Sequence, residues 1–239
     1  MPDSSYTPQT VVKRLPVYLR VLDNLLRREI DVISSKELSS ETGFTAEQIR
    51  KDLAYFGAFG TRGTGYQTNY LREKILKIIG LDQKTPIIIV GAGHLGMALT
   101  RYNVTNNPYV DVVAVFDNDP EVVGQNILHI EILDTSKMKK VIDDYGVKVA
   151  VIAVPADKAQ EAVEGLVQCG IKAVLNFAPV KISVPRGVQV HNADLAIELQ
   201  SLIYYSSSEE ERMYRINKSK TEGEDSEAGE AGEEEMENR

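Results

Sequence analysis

Three glycines at a fixed spacing are the residues of this chain that most clearly indicate a chemistry. They belong to the motif Gly91-Ala92-Gly93-His94-Leu95-Gly96, which follows an apolar stretch at residues 87–90. In a G-x-G-x-x-G pattern the first glycine permits a tight turn, the second lets the backbone approach a pyrophosphate, and the third lets a helix lie close to a strand. The helix that follows offers free N–H groups and the positive end of its dipole to phosphates. The motif therefore predicts a dinucleotide site at these six residues.

An acidic residue downstream indicates which dinucleotide is bound. Asp117 ends the stretch VVAVFD, 21 residues past Gly96. A carboxylate there accepts hydrogen bonds from an adenosine ribose and repels a 2′-phosphate, so we expect NADH and NAD+ as cofactors and not NADP(H). The alternative is that Asp117 only caps a turn. Ligands of such sheets lie outside the carboxyl ends of the strands, which places five further residues at the nicotinamide end: Val154, Pro155, Asn176, Phe177 and Ala178.

Catalytic machinery does not accompany this cofactor pattern. Of the three histidines, only His191 lies at a predicted strand end where it could act beside a nicotinamide. Tyr70 and Lys74 have the spacing of the short-chain dehydrogenase pair, but they precede the first predicted Rossmann strand, so we interpret the match as chance. No metal-ligand cluster is visible either. We predict no catalytic residue and no bound metal, and interpret the cofactor itself as a signal.

The composition is that of a soluble globular protein, with 43% hydrophobic and 26% charged residues. No apolar run approaches the ~20 residues that span a bilayer, and the polar N-terminus does not resemble a signal peptide. The single cysteine, Cys169, cannot form an internal disulfide. These features predict a cytoplasmic protein without a membrane segment.

Residues 85–192 alternate between strand and helix patterns. The predicted strands, at 87–90, 110–116, 148–154, 173–177 and 188–191, are nearly continuous apolar runs, which is typical of a parallel sheet covered on both faces. Helices are predicted near 95–104, 135–144 and 156–169. The fold class is therefore α/β, with a Rossmann doubly wound parallel sheet. An amphipathic helix at 193–210 follows, and 211–239 is predicted to be a disordered acidic tail.

Residues 1–84 form a separate predicted domain with a net charge of +3, from 13 Lys+Arg against 10 Asp+Glu, although the whole chain carries −8. Helices are predicted at 11–28, 34–42 and 45–56, the last two beginning with capping boxes at Ser34/Glu37 and Thr45/Gln48. A glycine-rich hairpin at 57–68 completes a winged-helix pattern, whose second motif helix enters the major groove of DNA. Glu47 and Asp52 would oppose this function if they faced phosphate. The predicted DNA contacts are Thr45, Gln48, Arg50, Lys51, Tyr55, Arg62 and Gly63.

Six segments together resemble one known family. RLPVYLRVL, IRKDLAYFGAFGTRGTGY, VGAGHLGMAL, VFDNDPEVVG, NFAP and DLAIEL occur in the order and spacing of the Rex redox-sensing transcriptional repressors. The resemblance covers about residues 8–206. It implies a homodimer that binds palindromic double-stranded operator DNA when NADH is low and is released by NADH.

The resemblance also implies roles for particular residues. Gly91, Gly93, Gly96 and Asp117 would hold the dinucleotide, and Lys51 and Arg62 would contact DNA. The helix from Asp194 resembles a swapped helix that lies between the two domains of the partner. Leu195 stands where some relatives place phenylalanine near the partner's nicotinamide. The polar residues expected to exchange contacts between the two states are Arg20, Tyr102 and Asp194, with an Arg20–Asp194 pair in the DNA-binding form and a Tyr102–Asp194 contact with NADH.

Two other functions stay open from the sequence. The chain could be a small NAD-dependent dehydrogenase whose first domain serves oligomerisation. The sheet also resembles CoA-binding Rossmann domains, so a CoA-type ligand is a third possibility.

Overall fold

The computed structural model of the chain describes residues 7–61, 63–215 and 218. Its N-terminal part is helical, and its apolar core is built on Leu15, Leu22, Ile49, Leu53 and Leu71, all of them almost fully buried. The elements in chain order are α1 (Gln9–Arg27), β1 (Val32–Ile33), α2 (Ser35–Thr42), α3 (Ala46–Phe56), β2 (Tyr66–Gln67) and α4 (Thr68–Ile79).

The helix boundaries follow the predicted caps, with one difference. Ser34 and Glu37 form a full capping box at α2, and Gly43 ends that helix with a φ of 76°. At α3 the side chain of Thr45 accepts from the backbone N–H of Gln48, but the Gln48 side chain is directed to Asp52. The second capping box is therefore only half formed.

The predicted hairpin at 57–68 is wrong in its pairing. β2 pairs antiparallel with β1, a strand that precedes α2, and among the described residues of the glycine-rich segment the antiparallel pairing is the isolated bridge Thr61–Gly65. A two-residue strand such as β1 gives no recognisable alternation, so it could not be predicted. Gly65 is needed here, because a Cβ at this position would overlap the carbonyl group of Ile33.

The second part of the chain is a seven-stranded sheet with helices on both faces. Its strand order is β5-β6-β4-β3-β7-β8-β9, and every neighbouring pair is parallel except β5-β6. Without β5, this is the doubly wound order of a dinucleotide-binding fold. The strands are β3 (Thr85–Val90), β4 (Val110–Asp117), β5 (Asn126–Ile127), β6 (Ile130–Asp134), β7 (Val149–Ile152), β8 (Ala173–Asn176) and β9 (Gln189–Asn192).

The helices of this sheet extend the predicted ones or shorten them by a few residues. A 3-10 turn at Thr135–Lys137 precedes the second of them, which was predicted as one helix over 135–144. The sequence did not predict β5 and β6 at all. The helices are α5 (His94–Asn106), α6 (Met138–Tyr145), α7 (Ala156–Gln168) and, after the sheet, α8 (Leu195–Ser206).

The helix α8 does not contact an apolar core of its own chain. None of its residues is buried, and its seven large apolar side chains are each between 48% and 70% exposed. A second helical stretch covers 209–215, so helix extends into the first residues of the segment predicted to be disordered. Residues 216, 217 and 219–239 of that predicted tail lie outside the described part of the chain.

The two halves of the chain are joined by side-chain hydrogen bonds between the helical domain and the segment that precedes β4. Asp23 of α1 accepts hydrogen bonds from Arg72 of α4, at 2.5 Å from Nε, and from the Tyr109 hydroxyl. Tyr109 immediately precedes β4, and its carbonyl oxygen accepts from the backbone of Thr85 at the start of β3. The helical domain is therefore held at the amino ends of the central strands. Over the described residues, no helix is long and apolar enough to cross a membrane.

Candidate functional site

The glycine motif forms a turn between β3 and α5 that leaves one position open. Gly91 has a φ of 100°, and a Cβ there would lie 2.5 Å from the Ala153 carbonyl oxygen. A Cβ on Gly96 would overlap the carbonyl oxygen of Gly91, which explains the need for glycine where α5 meets the turn. At Gly93, by contrast, an added Cβ would meet no atom within 4 Å. The glycine turn thus forms a cradle in which Gly91 and Gly96 have no room for a side chain, whereas Gly93 faces open space.

The start of α5 has no side chain to satisfy its backbone. Gly93 is the N-cap residue, and no side chain accepts hydrogen bonds from the first turn. Free N–H groups at a helix N-terminus attract phosphate oxygens. A cleft of about 660 Å³ begins at this point and is lined by Gly91 and Gly93 on one side. These features fit the pyrophosphate of a dinucleotide.

Asp117 lies at the carboxyl end of β4 beside the glycine turn. One carboxylate oxygen accepts from the Ala92 backbone N–H at 2.6 Å, and the other accepts from the N–H groups of Asn118 and Asp119. The turn-capping alternative is therefore part of its role. A carboxylate can accept about four hydrogen bonds, so acceptor capacity remains for a ribose hydroxyl. Asp117 also lines the cleft.

The cleft is lined by some of the predicted cofactor residues and by others that were not predicted. Gly91, Gly93, Asp117, Val154 and Pro155 line it together. Thr135 and Ser136, in the turn after β6, add to the lining, and they were not predicted because β6 itself was not predicted. One available signal was Asp134, whose side chain caps the Ser136 N–H after an apolar alternation. The added residues include Thr135, Ser136, Met138, Lys139 and Lys158.

The predicted nicotinamide-end residues after β8 have different environments. Asn176 is fully buried, and its side chain bonds to Ala178, Val180 and Asn192. Ala178 is also buried, whereas Phe177 is half-buried. Leu195 is 64% exposed at the start of α8. Asn176, Phe177, Ala178 and Leu195 do not line the described cleft, so their contact with a cofactor stays a prediction.

The exposed surface of α3 carries the predicted DNA contacts. Thr45, Arg50, Lys51 and Tyr55 are exposed. Arg50 donates to the Ser35 hydroxyl at 2.8 Å, which ties α3 to the start of α2. A cleft of about 540 Å³ lies between α3, where Arg50 lines it, and the glycine-rich segment that contains Gly63. Arg62 lies outside the described residues.

A buried polar network fixes α3 against α1. The Asp52 carboxylate is 1% exposed and accepts from Arg14 at 2.6 and 2.8 Å, from the Tyr18 hydroxyl at 2.6 Å and from the Gln48 amide at 2.7 Å. Burial alone would raise the pKa of Asp52, but the hydrogen bonds from Arg14, Tyr18 and Gln48 outweigh it and lower that pKa. Asp52 therefore does not face phosphate, contrary to the concern raised by its sequence position. Gln48 is half-buried with its amide already engaged.

The variant Asp52→Asn is expected to lower the free energy of unfolding by about 3 kcal/mol, because Arg14 would lose its buried counter-ion. The folded-state pKa of Asp52 is lowered, so its stabilisation is present above the unfolded pKa of about 4 and is lost as the pH falls through the folded value. The deficit of the variant should therefore be full at pH 7 and shrink in acid. Urea unfolding at several pH values measures it, with the exposed Glu47→Gln as control. A deficit independent of pH would contradict the ionic assignment.

The three predicted switch residues are separated within one chain. Arg20 is exposed on α1, and Tyr102 is 60% exposed on α5. Asp194 caps α8 by accepting from the N–H groups of Ala196 and Ile197 at 3.0 and 3.1 Å. No ion pair or hydrogen bond joins the three side chains among the described contacts. Their predicted exchange would need the approach of another chain or a change of conformation.

The remaining residues considered for catalysis do not line the cofactor cleft. His191 is exposed on β9, at the edge of the sheet. Lys74 lies over the Tyr70 ring at 5.1 Å on the exposed face of α4, in the helical domain and not at the cofactor cleft. Within the described part of the chain, no group of three or more His, Cys, Asp or Glu side chains could hold a metal ion.

Two family models match the chain in the order that the fold predicts. Residues 7–54 match a model described as "Putative DNA-binding protein N-terminus", and residues 82–180 match a CoA binding domain. The first match covers α1, α2 and all but the last two residues of α3, and the second covers the glycine turn and the sheet up to β8.

Curated relatives and solved structures cover most of the chain. Redox-sensing transcriptional repressor Rex of Natranaerobius thermophilus is 60% identical over 202 residues, which are 84% of this chain and 92% of the relative. The Streptomyces coelicolor protein of the same name is 42% identical, covering 83% of this chain and 77% of that protein. A crystal structure of RSP with β-NAD+ and operator DNA has a TM-score of 0.82 at 35% identity, over 91% of this chain and 100% of that one. The complex of RSP with β-NADH gives 0.75 at 34% identity, over 90% and 99%.

Proposed function

The chain belongs to the Rex family of redox-sensing transcriptional repressors, and on that basis we propose how its two halves work together. The helical domain binds operator DNA, and the Rossmann domain binds NAD+ or NADH. The redox state of the bound dinucleotide decides whether DNA stays bound: operator binding prevails when NADH is low, and NADH releases it. The chain is a transcriptional regulator and not an enzyme.

The open cradle at Gly93 is the observation that carries the cofactor assignment. The uncapped start of α5 supplies N–H groups to the pyrophosphate, and Gly93 leaves room for the phosphates to approach them. Asp117 beside the turn accepts from the adenosine ribose and disfavours a 2′-phosphate. When bound, the nicotinamide ring supplies the signal, since it carries a positive charge in NAD+ and none in NADH. We propose Val154 and Pro155 as further contacts, together with the remaining residues of the motif.

The DNA assignment is supported by the exposed face of α3. Lys51, Arg50, Thr45 and Tyr55 project from it beside a cleft that separates α3 from the glycine-rich segment. The recognition helix of such a domain enters the major groove, while basic side chains neutralise phosphates. The network around Asp52 holds this helix in place from behind. We propose that Gln48, Arg62 and Gly63 add contacts at the edges of this surface.

We propose that α8 makes the protein a homodimer by inserting into a second copy. The helix has apolar side chains on opposite sides: Leu195, Leu199 and Leu202 lie on one stripe, while Ile197 and Tyr204 lie across from it. A helix that is apolar all round is a buried helix, yet its own chain leaves it uncovered. A symmetric dimer would also present two DNA-binding domains to a palindromic operator.

In such a dimer the three switch residues come within reach of each other. We propose that Asp194 pairs with Arg20 in the DNA-binding state and contacts Tyr102 when NADH is bound. Arg20 and Tyr102 are both exposed, which leaves them available to a partner chain. A ligand shifts such an equilibrium only by its differential affinity for the two states, and the charge of the nicotinamide ring provides that difference.

The direct test is operator binding by the purified full-length protein, titrated in parallel with NADH, NAD+, NADPH and coenzyme A. We expect NADH to release DNA, NAD+ to leave it bound, and NADPH and coenzyme A to have no effect at the same concentrations. Release by coenzyme A instead would favour the CoA-type ligand that the second family model suggests. An operator affinity that ignores all four compounds would refute the proposed function.

A further inference from the structure

Asn176 is the most extensively bonded buried side chain at the carboxyl edge of the sheet. It is fully buried at the end of β8. Its Oδ1 accepts from the Ala178 N–H at 2.9 Å, and its Nδ2 donates to the carbonyl oxygens of Ala178 and Val180 at 3.1 and 3.0 Å. These bonds define the shape of the turn at residues 177–180, which follows β8 at the carboxyl ends of the strands, where the sequence predicts the nicotinamide end of the cofactor site.

The same side chain also reaches the neighbouring strand. Nδ2 donates to Oδ1 of Asn192 at 2.9 Å, and the two residues are register partners at the ends of β8 and β9. The backbone carbonyl of Asn176 accepts from the Ala193 N–H at 2.8 Å. The next residue is Asp194, whose side chain caps α8. Hydrogen bonds therefore join the turn, Asn176 and the Asn192–Ala193 segment, and the backbone continues from that segment directly into Asp194, the cap of α8.

The bond to Asn192 is not needed to build the turn. Oδ1 of Asn176 accepts from Ala178, and the two N–H groups of Nδ2 are shared among three acceptors, the carbonyl oxygens of Ala178 and Val180 and Oδ1 of Asn192, so the turn keeps partners for both ends of the amide without Asn192. Asn192 is exposed on an edge strand, and its side chain contributes to no apolar core. The Asn176–Asn192 bond is not required for local folding, but it joins the turn after β8 to the segment that precedes α8. It can therefore transmit a displacement from one to the other.

The helical domain of the same chain offers a much less direct route by which a change at the cofactor site could be transmitted. That domain is attached at the amino ends of the central strands, through Asp23, Arg72 and Tyr109. The cofactor cleft lies at the carboxyl ends. Since α8 begins at the carboxyl edge, next to Asn192, it is the element that a change at the nicotinamide end reaches first.

We infer that Asn176 and Asn192 are positioning residues that couple the nicotinamide end of the cofactor site to α8. Hydrogen bonds weaken steeply when they are stretched or bent, so the Asn176–Asn192 bond favours a joint displacement of the two strand ends. The turn at 177–180 and the start of α8 therefore move together. A shift of the turn between the NAD+ and NADH states displaces Asp194 and reorients α8, and through α8 the DNA-binding domains of the proposed dimer. This inference rests on the proposed function.

The test compares three single variants with the wild type. Asn192→Ala removes the acceptor, Asn192→Asp keeps an oxygen acceptor of the same shape, and Gln189→Ala is a matched control on the exposed side of the same strand. For each protein we would measure NADH affinity, operator affinity without NADH, operator affinity with saturating NADH, and the melting temperature. The ratio of the two operator dissociation constants is the coupling between the sites.

We expect Asn192→Ala to keep its NADH affinity, unliganded operator affinity and melting temperature, while the coupling ratio falls about fivefold. Asn192→Asp and Gln189→Ala should keep the wild-type ratio. An unchanged ratio in Asn192→Ala would overturn the inference, and so would a parallel loss of NADH binding, DNA binding and stability, which indicates a merely structural role. A wild type that ignores NADH would instead refute the proposed function, so the two failures are distinguishable.

Discussion

A chain carrying both Leu199→Glu and Leu202→Glu is expected to be monomeric and to lose operator binding. Both side chains are more than 60% exposed on α8, and an isolated helix of 12 residues is marginal in water. The exposed apolar surface of α8 is much more extensive than single scattered residues, which marks an interaction surface. In the proposed dimer, each substitution would bury a carboxylate without a partner.

Symmetry doubles the effect of each substitution. Two glutamates in two chains place four carboxylates in apolar surroundings, and an unpaired charge there costs several kcal/mol. The dimer dissociation constant should rise by at least about 10³-fold. A monomer presents a single DNA-binding domain, and loss of the second one weakens binding to a palindromic site by about 10²–10⁴-fold.

Sedimentation equilibrium and operator binding measure the two effects in the same preparation. Tyr145→Glu is the control, since it adds the same charge at an exposed aromatic residue outside α8, and it should remain dimeric and bind DNA. Circular dichroism and NADH binding show whether the Rossmann domain is intact in the double variant. A double variant that stays dimeric would show that α8 is not the interface.

The parts of the site that sequence predicted are those defined by local backbone requirements. Gly91 needs a positive φ, and Gly96 lies against the carbonyl oxygen of Gly91. Both constraints act within six residues, so they leave a readable pattern. Asp117 was predicted for a similar reason: it terminates a long apolar strand, and strand ends can be located from hydrophobicity.

Other features depend on contacts between distant segments. Asp52 looked like a misplaced charge on the DNA-binding helix, because its partner Arg14 lies 38 residues away in α1. The bond of Asn176 to Asn192 spans 16 residues, so the sequence indicated only that Asn176 lies at a strand end. Neither partner could be identified from spacing, since burial is decided by the packing of whole elements.

The hairpin formed by β5 and β6 was not predicted from the sequence for a different reason. β5 and β6 are connected by only two residues, Leu128 and His129, and Leu128 takes a φ of 58°, where glycine or asparagine is usual. With Leu128 in place of a turn residue, nothing in the sequence marked where one strand ended and the next began. That concealed the strand β6, and with β6 the turn at Thr135 and Ser136 that lines the cofactor cleft.

The largest effect on cofactor response is expected from Gly93→Asp. Gly93 has a φ of −67° and a ψ of −176°, a backbone conformation open to any residue, and its Cβ direction is free of neighbours. Aspartate is also a favourable N-cap, and α5 lacks a side-chain cap. The variant should therefore be as stable as the wild type, or more stable by about 1 kcal/mol.

The new carboxylate would occupy the space and the N–H groups that the pyrophosphate needs. Like charges in contact cost several kcal/mol, so the NADH dissociation constant should rise by at least about 10³-fold. Operator affinity should be unchanged, because α3 lies in the other domain, which makes the variant a repressor that NADH no longer releases. Gly93→Ala, which adds bulk without charge, should weaken NADH binding far less. Calorimetry with NADH and operator binding with and without it would measure both variants. If Gly93→Asp still released DNA on addition of NADH, the phosphates would have to bind elsewhere than at the start of α5.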